Sequence, residues 1–356
     1  MTVALNAGTI GIFGGGQLGR MTAQAAASLG IKTIIFTDTM GSPAADVVAE
    51  TIVGNYADKT LLQEFADKCD VISFEFENIP AEAAAFVEAQ GKLFPGTKVL
   101  ETCQDRVLEK QFLADAGIPV APFKAVTTQA ELERAIMEIG VPCVLKTARF
   151  GYDGKGQVII HDASEVAAAW TALQTDHAIL EAFVEFEREA SVIVARNKKG
   201  VEACYPIVEN IHENHILKTT IAPADVTGDL QDKANQVALK IADAIGLVGL
   251  LAVELFLTAD GNLVVNELAP RPHNSGHWTM DGAATSQFEQ FVRAICNLPL
   301  GATDVVTPTR MENLLGDGIL NLDDALATPG ARLHLYGKAD IKPGRKMGHI
   351  NYLQIT

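Results

Sequence analysis

Glu254 and Glu267 are the residues whose types and spacing most directly suggest chemistry. They lie in the stretch AVELFLTADGNLVVNELAPRPHNSGH, Ala252–His277. Two apolar runs, Leu250–Leu257 and Leu263–Val265, flank Asp260-Gly261, a dipeptide that favours a two-residue type I′ hairpin turn. With that turn Ala259 opposes Asn262, and Glu254 falls directly opposite Glu267. Facing side chains sit about 4.5–5.5 Å apart at Cβ, and like charges there destabilise the sheet. A positive group between them is therefore expected. Two carboxylates beside the amide of Asn266 suit Mg²⁺, which takes oxygen ligands and shares them with nucleotide phosphates. The plainer alternative is one solvated glutamate and an accidental pairing, and the hairpin alone does not choose.

Cations that could meet a phosphate lie upstream. Cys143–Thr147 reads as an apolar strand closing on Lys146, and a lysine in that position suggests a nearby anion. Arg149 to Gln157 follows (RFGYDGKGQ), with Gly151, Gly154 and Gly156 among two cations, a loop able to wrap phosphate. It is neither a Walker A loop nor a kinase loop, because its lysine strand precedes the glycines and no helix follows. A simple hairpin connection is the alternative. Ala178–Val184 reads as a strand carrying Glu181, followed by Glu185, Glu187 and Glu189. Strands at Ala190–Ala195 and Val201–Val208 come next. His212 and His215 could pair on a metal, although a solvated turn is the simpler reading. Arg271-Pro272-His273-Asn274-Ser275-Gly276-His277 reads as a loop, so His273 and His277 lack the helical spacing of a zinc site.

The elements that must position these groups begin with a βαβ unit. Strand Thr9–Phe13 leads through GGGQLG to an Ala-rich helix ending near Leu29, then to strand Lys32–Thr37 and Asp38. The glycines match G-x-G-x-x-G and Asp38 stands where a ribose-binding acid would, the pattern of an NAD-binding fold. A Gly-rich turn at a helix start binds any phosphate through its N–H groups, so phosphate is the safer inference. Strands at Val71–Phe74 and Leu93–Phe94 and helices at Lys59–Ala66 and Ala81–Ala89 extend a parallel α/β sheet. Strand alternation puts Glu75 and Glu77 on one face beyond the carboxyl end of the third strand, where ligands bind in such sheets. A strand is expected at Val120–Val126, and Thr128-x-x-Glu131 reads as a capping box opening a helix that ends at Gly140. Helices are expected at Asp229–Ile245 and Ser286–Asn297. The last stretch reads as a small β-rich module with Lys338, Arg345 and Lys346 clustered in it.

At 356 residues two or three domains are expected. A net charge of −16 argues against nucleic acid or anionic membrane as partner. Five scattered cysteines with no CxxC pair fit free thiols in a reducing cytoplasm. No signal pattern or bilayer-length apolar run is present.

In this order the motifs GGGQLG, EFEN, K-T-x-x-x-GYDGKGQ, EAFV and VELF…NELAPRPHNSGH resemble those of the ATP-grasp ligases. Among these the chain is similar to the N5-carboxyaminoimidazole ribonucleotide synthetases, over nearly its whole length. The resemblance implies an α/β ATP-grasp fold in four parts: a Rossmann-like N-terminal parallel-sheet domain (1–100), a small ATP-grasp subdomain with the glycine lid (101–184), a large subdomain (185–300) and the C-terminal module (301–356). It implies ATP-dependent carboxylation of 5-aminoimidazole ribonucleotide by bicarbonate through carboxyphosphate, by a cytoplasmic homodimer. ATP would be held by Arg106, Lys146, Gly151, Tyr152, Asp153, Gly154, Lys155, Gly156, Gln157, Glu181, Ala182, Phe183, Val184, Glu189, His212, Asn266 and Glu267, and Mg²⁺ by Glu254 and Glu267. Gln17, Leu18, Lys338, Arg345 and Lys346 would bind the substrate phosphate and Glu75 its ribose. Tyr152 and Asp153 would lie near the aminoimidazole, and Arg271, His273 and Asn274 near bicarbonate. Lys146, Asp153, Arg271 and His273 carry the expected catalysis. A formate-dependent glycinamide ribonucleotide transformylase-like ligase is the near alternative, and an NAD-dependent dehydrogenase or a non-catalytic nucleotide-binding protein the distant ones.

Overall fold

A computed structural model describes residues 8–151, 154–320 and 322–354. The N-terminal lobe contains β1 (Thr9–Phe13), α1 (Gln17–Ser28), β2 (Lys32–Thr37), β3 (Glu50–Val53), α2 (Lys59–Lys68), β4 (Val71–Phe74), α3 (Ala81–Glu88) and α4 (Thr97–Gln104). Its sheet is wholly parallel in the order β3-β2-β1-β4, as buried Ile and Phe on both faces require. Phe13, Phe36 and Phe65 pack ring to ring beneath it. The expected strand at Leu93–Phe94 is a single parallel bridge from Leu93 to Ile72.

Asp105 then caps α5 (Arg106–Asp115), accepting hydrogen bonds from the N–H groups of Val107 and Leu108. The small lobe follows with β5 (Phe123–Val126), α6 (Gln129–Ile139), β6 (Cys143–Thr147), β7 (Gln157–Ile160), α7 (Val166–Leu173) and β8 (Ala178–Ala182). Its antiparallel sheet runs β5-β8-β6-β7. The strand expected from Val120 begins only at Phe123, because Pro122 has no N–H to give a ladder. At α6 the Thr128 hydroxyl accepts from Glu131 N–H as expected, while the Glu131 carboxylate reaches one residue further back, to Thr127.

The large lobe comprises β9 (Arg188–Arg196), β10 (Glu202–Cys204), β11 (Val208–Glu213), β12 (Ile216–Ala222), α8 (Gly228–Ile245), β13 (Gly249–Leu257), β14 (Leu263–Ala269), α9 (Thr279–Gly282) and α10 (Gln287–Ile295). The strand expected over Val201–Val208 is broken at Tyr205-Pro206. The C-terminal residues add β15 (Thr309–Leu315), α11 (Asp323–Ala327), β16 (Ala331–Leu335) and β17 (Lys346–Leu353). These strands have no sheet of their own. They continue that of the large lobe, in the order β14-β13-β9-β11-β12-β15-β17-β16 with β10 beside β9. Among the described residues no helix is long and apolar enough to cross a membrane.

Candidate active site

The β13–β14 hairpin does place Glu254 opposite Glu267, but by a longer route than the sequence suggests. Thr258 carbonyl accepts from Gly261 N–H (2.9 Å), Gly261 is left-handed at φ 75°, and Thr258 N–H reaches Asn262 carbonyl. The loop therefore has three residues, Ala259 to Gly261, rather than the two of a type I′ turn, which shifts the register by one. A bulge between Glu254 and Leu255 on one side and Val265 and Glu267 on the other leaves Asn266 as the extra residue and shifts the register back. The two offsets cancel, and the bulge turns Asn266 toward the same cavity.

The two carboxylates meet different partners: the cation Arg106 lies on Glu267 and the imidazole of His273 on Glu254. Arg106 Nη1 donates to Glu267 Oε2 at 2.8 Å, and His273 Nε2 lies 3.0 Å from Glu254 Oε1. Burial alone would raise the Glu267 pKa, but Arg106, Lys146 and His273 outweigh it and hold the carboxyl down at about 2. Arg106 also reaches the Gly151 carbonyl (3.4 Å), joining the glycine loop to the acidic strand.

Lys146 closes β6, with its Nζ 3.1 Å from Glu181 Oε2 on the neighbouring strand β8. Burial depresses the lysine pKa despite that partner. Lys110, fully buried on α5, stands 3.5 Å from the same Glu181 oxygen. Gly151, Gly154, Lys155 and Gly156 lie on the connection of hairpin β6–β7, where Lys146 pairs with Gln157 at the start of β7. Gly154 and Gly156 take φ of 75° and 73°, and a Cβ on Gly154 would run into His215 at the tip of the β11–β12 hairpin. Tyr152 and Asp153 lie outside the described residues.

Behind this a cavity of about 990 Å³ opens between the three sheets. Its walls include Gln17, Leu18, Glu75, Arg106, Lys146, Gly151, Gly154, Lys155, Gln157, Phe183, Glu189, His212, Glu254, Asn266, Glu267, Arg271, His273, Asn274 and Lys346, so residues far apart in sequence converge as expected. Among the described residues, Gly156, Glu181, Ala182 and Val184 stand behind the wall. The N–H groups of Ala182 and Phe183 are already given to Pro122 and Pro142 carbonyls, at 2.8 and 3.2 Å. One end of the cavity is apolar, with Val144, Ile159 and Phe183 near Phe186 and Phe256, whose rings stack at 4.6 Å and 12°. A flat heterocycle fits such an end. Glu189 and His212 lie beside it, 3.1 Å apart; burial opposes the imidazolium, yet the carboxylate of Glu189 raises the histidine pKa.

The glycine turn departs from expectation. Strand β4 stops at Phe74, so alternation does not carry on to Glu75 and Glu77. Glu75 turns inward and accepts the N–H groups of Gly16 and Gly19 (2.7 Å for the latter). Two of the donors at the start of α1, those of Gly16 and Gly19, are thus taken by the chain's own carboxylate, while Gln17 and Leu18 line the cavity. Glu77 instead pairs with Arg271, Nε to Oε1 2.7 Å. A second cavity of about 440 Å³ shares Gly16, Glu75 and Phe76 with the first and carries Asp38, Tyr56, Lys338 and Arg345 on its walls. Glu75 therefore sits where the two spaces meet. Lys338 Nζ donates to Lys346 carbonyl at 2.6 Å, which keeps that cluster together.

The loop after β14 is fixed by groups that sequence reasoning did not single out. His273 Nδ1 contacts Ser275 Oγ (2.8 Å), which accepts from Ser191 Oγ, which in turn accepts from Asn210. Asn274 exchanges amide hydrogen bonds with Asn313 of β15, at 3.0 and 2.7 Å. His277 is buried, its Nδ1 3.0 Å from Gln287 Nε2, and it too reaches the cavity wall. Glu109, also on the cavity wall, was missed as well; its only signal was its place one turn after Arg106. No group of three or more His, Cys, Asp or Glu side chains among the described residues could hold a metal. The oxygens of Glu254, Glu267 and Asn266 fit a divalent cation that takes its other ligands from phosphate and water.

Comparison with known proteins decides the family. Residues 111–288 match the ATP-grasp domain, 7–104 the ribonucleotide synthetase preATP-grasp domain, and 309–356 the phosphoribosylaminoimidazole carboxylase C-terminal domain. The N5-carboxyaminoimidazole ribonucleotide synthase of Bacillus subtilis is 46% identical, over 97% of this chain and 91% of its own length. The chain belongs to the N5-carboxyaminoimidazole ribonucleotide synthase family. A bifunctional purine synthesis protein of Dictyostelium discoideum is 48% identical over 96% of this chain, which spans 36% of that protein. Among solved structures of this family, an ADP complex superposes with a TM-score of 0.95 at 46% identity, covering 99% of this chain and 94% of the other. The Aspergillus clavatus synthase, described in complex with ADP and 5-aminoimidazole ribonucleotide, superposes at 0.91 with 33% identity, over 98% and 94%. As in other synthases of this family, the fold is ATP-grasp with a parallel-sheet N-terminal domain, and the dinucleotide reading of the glycine turn falls with it.

Proposed function

We propose that this chain uses ATP to carboxylate 5-aminoimidazole ribonucleotide with bicarbonate, giving N5-carboxyaminoimidazole ribonucleotide, ADP and phosphate. The observation that carries this reading is that the two cavities adjoin, with Gly16, Glu75 and Phe76 on the walls of both. One end offers two facing carboxylates with Lys146 and Arg106, and the other offers Lys338 and Arg345. ATP occupies the first with its base at the Phe186–Phe256 end, its ribose near Glu189 and its phosphates under the glycine lid. Mg²⁺ would be held by Glu254 and Glu267 with Asn266 beside them, and would supply charge neutralisation to the phosphoryl oxygens. The nucleotide substrate occupies the second, its ribose on Glu75 and its phosphate on Lys338, Arg345 and Lys346, with Gln17 and Leu18 lining the passage.

Bicarbonate is a poor electrophile, and its oxygen attacks the γ-phosphorus to form carboxyphosphate. Lys146 and the lid amides spread the charge that builds on the transferred group. Arg271, kept oriented by Glu77, offers a planar fork to the bicarbonate and carboxyphosphate oxygens. His273 and Asn274, each fixed by part-buried hydrogen bonds, hold the same region. The lid excludes water while carboxyphosphate collapses to CO₂ and phosphate. The amine then attacks CO₂, and its proton passes to Asp153 or to the released phosphate. The four divisions 1–100, 101–184, 185–300 and 301–356, a homodimeric state and a cytoplasmic setting complete the proposal.

The test is ADP release with each nucleotide in turn. Release that requires bicarbonate and 5-aminoimidazole ribonucleotide supports the reading. Release with formate and glycinamide ribonucleotide instead overturns it in favour of the transformylase-like alternative.

A further inference from the structure

Lys110 has no place in the site so far. Its side chain is 1% exposed against 12% for Lys146, and unlike Lys146 it lines neither cavity. A buried lysine is costly without partners, and Lys110 has two that connect different parts of the fold. Its Nζ is 3.5 Å from Glu181 Oε2 on β8 and 3.2 Å from the Val265 carbonyl on β14. Strand β14 is an edge of the large sheet, so the outward backbone groups of Val265 must find partners elsewhere. Its N–H goes to Pro119 carbonyl (2.8 Å) and its carbonyl takes Lys110. The next two residues are Asn266 and Glu267. Glu181 Oε2 thus serves two ammonium groups, Lys110 from behind and Lys146 from the cavity side, while its Oε1 has no partner.

We propose that Lys110 is a positioning residue for ATP turnover. By sharing the Glu181 carboxylate it leaves the charge of Lys146 available to the cavity, and by holding Val265 it fixes the cation-bearing sheet against the carboxylate-bearing strand. The inference rests on the reading that Lys146 faces the phosphates of ATP. Without Lys110, Lys146 becomes the one ammonium group in contact with a buried carboxylate and is drawn back toward it. Removing a charge of each sign together restores the balance.

Steady-state kinetics of K110M, E181Q, K110M/E181Q and K146M, with each substrate varied in turn and melting temperatures recorded, test this. K110M is expected to raise the KM for ATP about tenfold, a loss typical of one charge contact, with the KM for the aminoimidazole nucleotide changed less than about twofold. The double variant is expected to recover most of that loss. Should K110M not fold, the double variant is expected to bind ATP better than E181Q, which leaves two buried cations around a neutral amide. A folded K110M with unchanged KM for ATP overturns the proposal. So does a rise in every KM in step with lost stability that the double variant does not relieve. An unchanged ATP KM in K146M removes the underlying reading of Lys146, and the proposal with it.

Discussion

Replacing Glu109 with glutamine should make the protein's stability less sensitive to pH. Glu109 is 2% exposed; its Oε2 accepts Leu268 N–H at 3.0 Å and its Oε1 has no partner. Burial pushes its pKa from 4.5 up to about 8; Lys110 pulls the other way, and the charge of Glu267 adds to the rise. Because the folded value lies above the unfolded one, the stability this proton brings is complete below pH 4.5 and is lost as pH climbs through 8. The slope is roughly 1.4 kcal/mol per pH unit across that window, and the whole effect has a ceiling of roughly 5 kcal/mol before local relaxation reduces it. Glutamine keeps the acceptor for Leu268 N–H and carries no charge at any pH in the window. Urea titrations of nucleotide-free wild type and E109Q at several pH values and one ionic strength isolate the effect, since every other group is common to both. The wild type should lose stability relative to E109Q as pH rises from 5 to 8. Parallel slopes would refute the reasoning, because they would mean that Glu109 ionises at its ordinary value and is solvated.

Three further outcomes follow from the geometry. Glu267→Ala should lower ATP turnover by at least about 100-fold while the circular dichroism spectrum is retained; normal hydrolysis in that variant would remove the two-carboxylate metal site. Gly16→Ala places a methyl 2.8 Å from a Glu75 oxygen, so a loss of about 1–3 kcal/mol in urea unfolding is expected, with a raised KM for the nucleotide substrate. Arg271→Lys keeps the charge but loses the planar fork that pairs with Glu77 and, on the proposed mechanism, takes an oxyanion; kcat/KM for bicarbonate should fall about 10- to 100-fold with the KM for ATP little changed.

The parts of the site legible in the sequence were those carried by strand periodicity and glycine punctuation. Lys146 at the end of an apolar strand, the three-glycine loop and the Glu254–Glu267 pairing all came from such patterns. The pairing was reached through a turn one residue too short, and only the unforeseen bulge at Asn266 made the register agree. Glu109 and Lys110 were illegible for a different reason. Adjacent opposite charges on a helix ordinarily face water, and nothing in RVLEKQFLAD tells that β14 covers that face. Glu75 does line both cavities, but not by strand alternation, since β4 stops at Phe74 and its carboxylate is aimed by the Gly16 and Gly19 N–H groups. Asn313 lies 39 residues from Asn274 on a strand of the C-terminal module, a distance no local pattern spans.

The run of ladder bonds from β12 into β15 also bears on how this molecule can be taken apart. Thr219 to Ala222 pair with Glu312 to Thr309, so the last strands seal what would otherwise be an open margin of the large lobe. A chain cut after residue 300 would leave the seven residues Ile216–Ala222 as a bare edge, a template for self-association. The C-terminal segment is therefore a poor cassette. Grafting it from one relative to another carries along the cluster of Lys338, Arg345 and Lys346, but it also demands that β12 match the incoming strand. Inheritance of that basic cluster and of the central sheet is coupled through that seam.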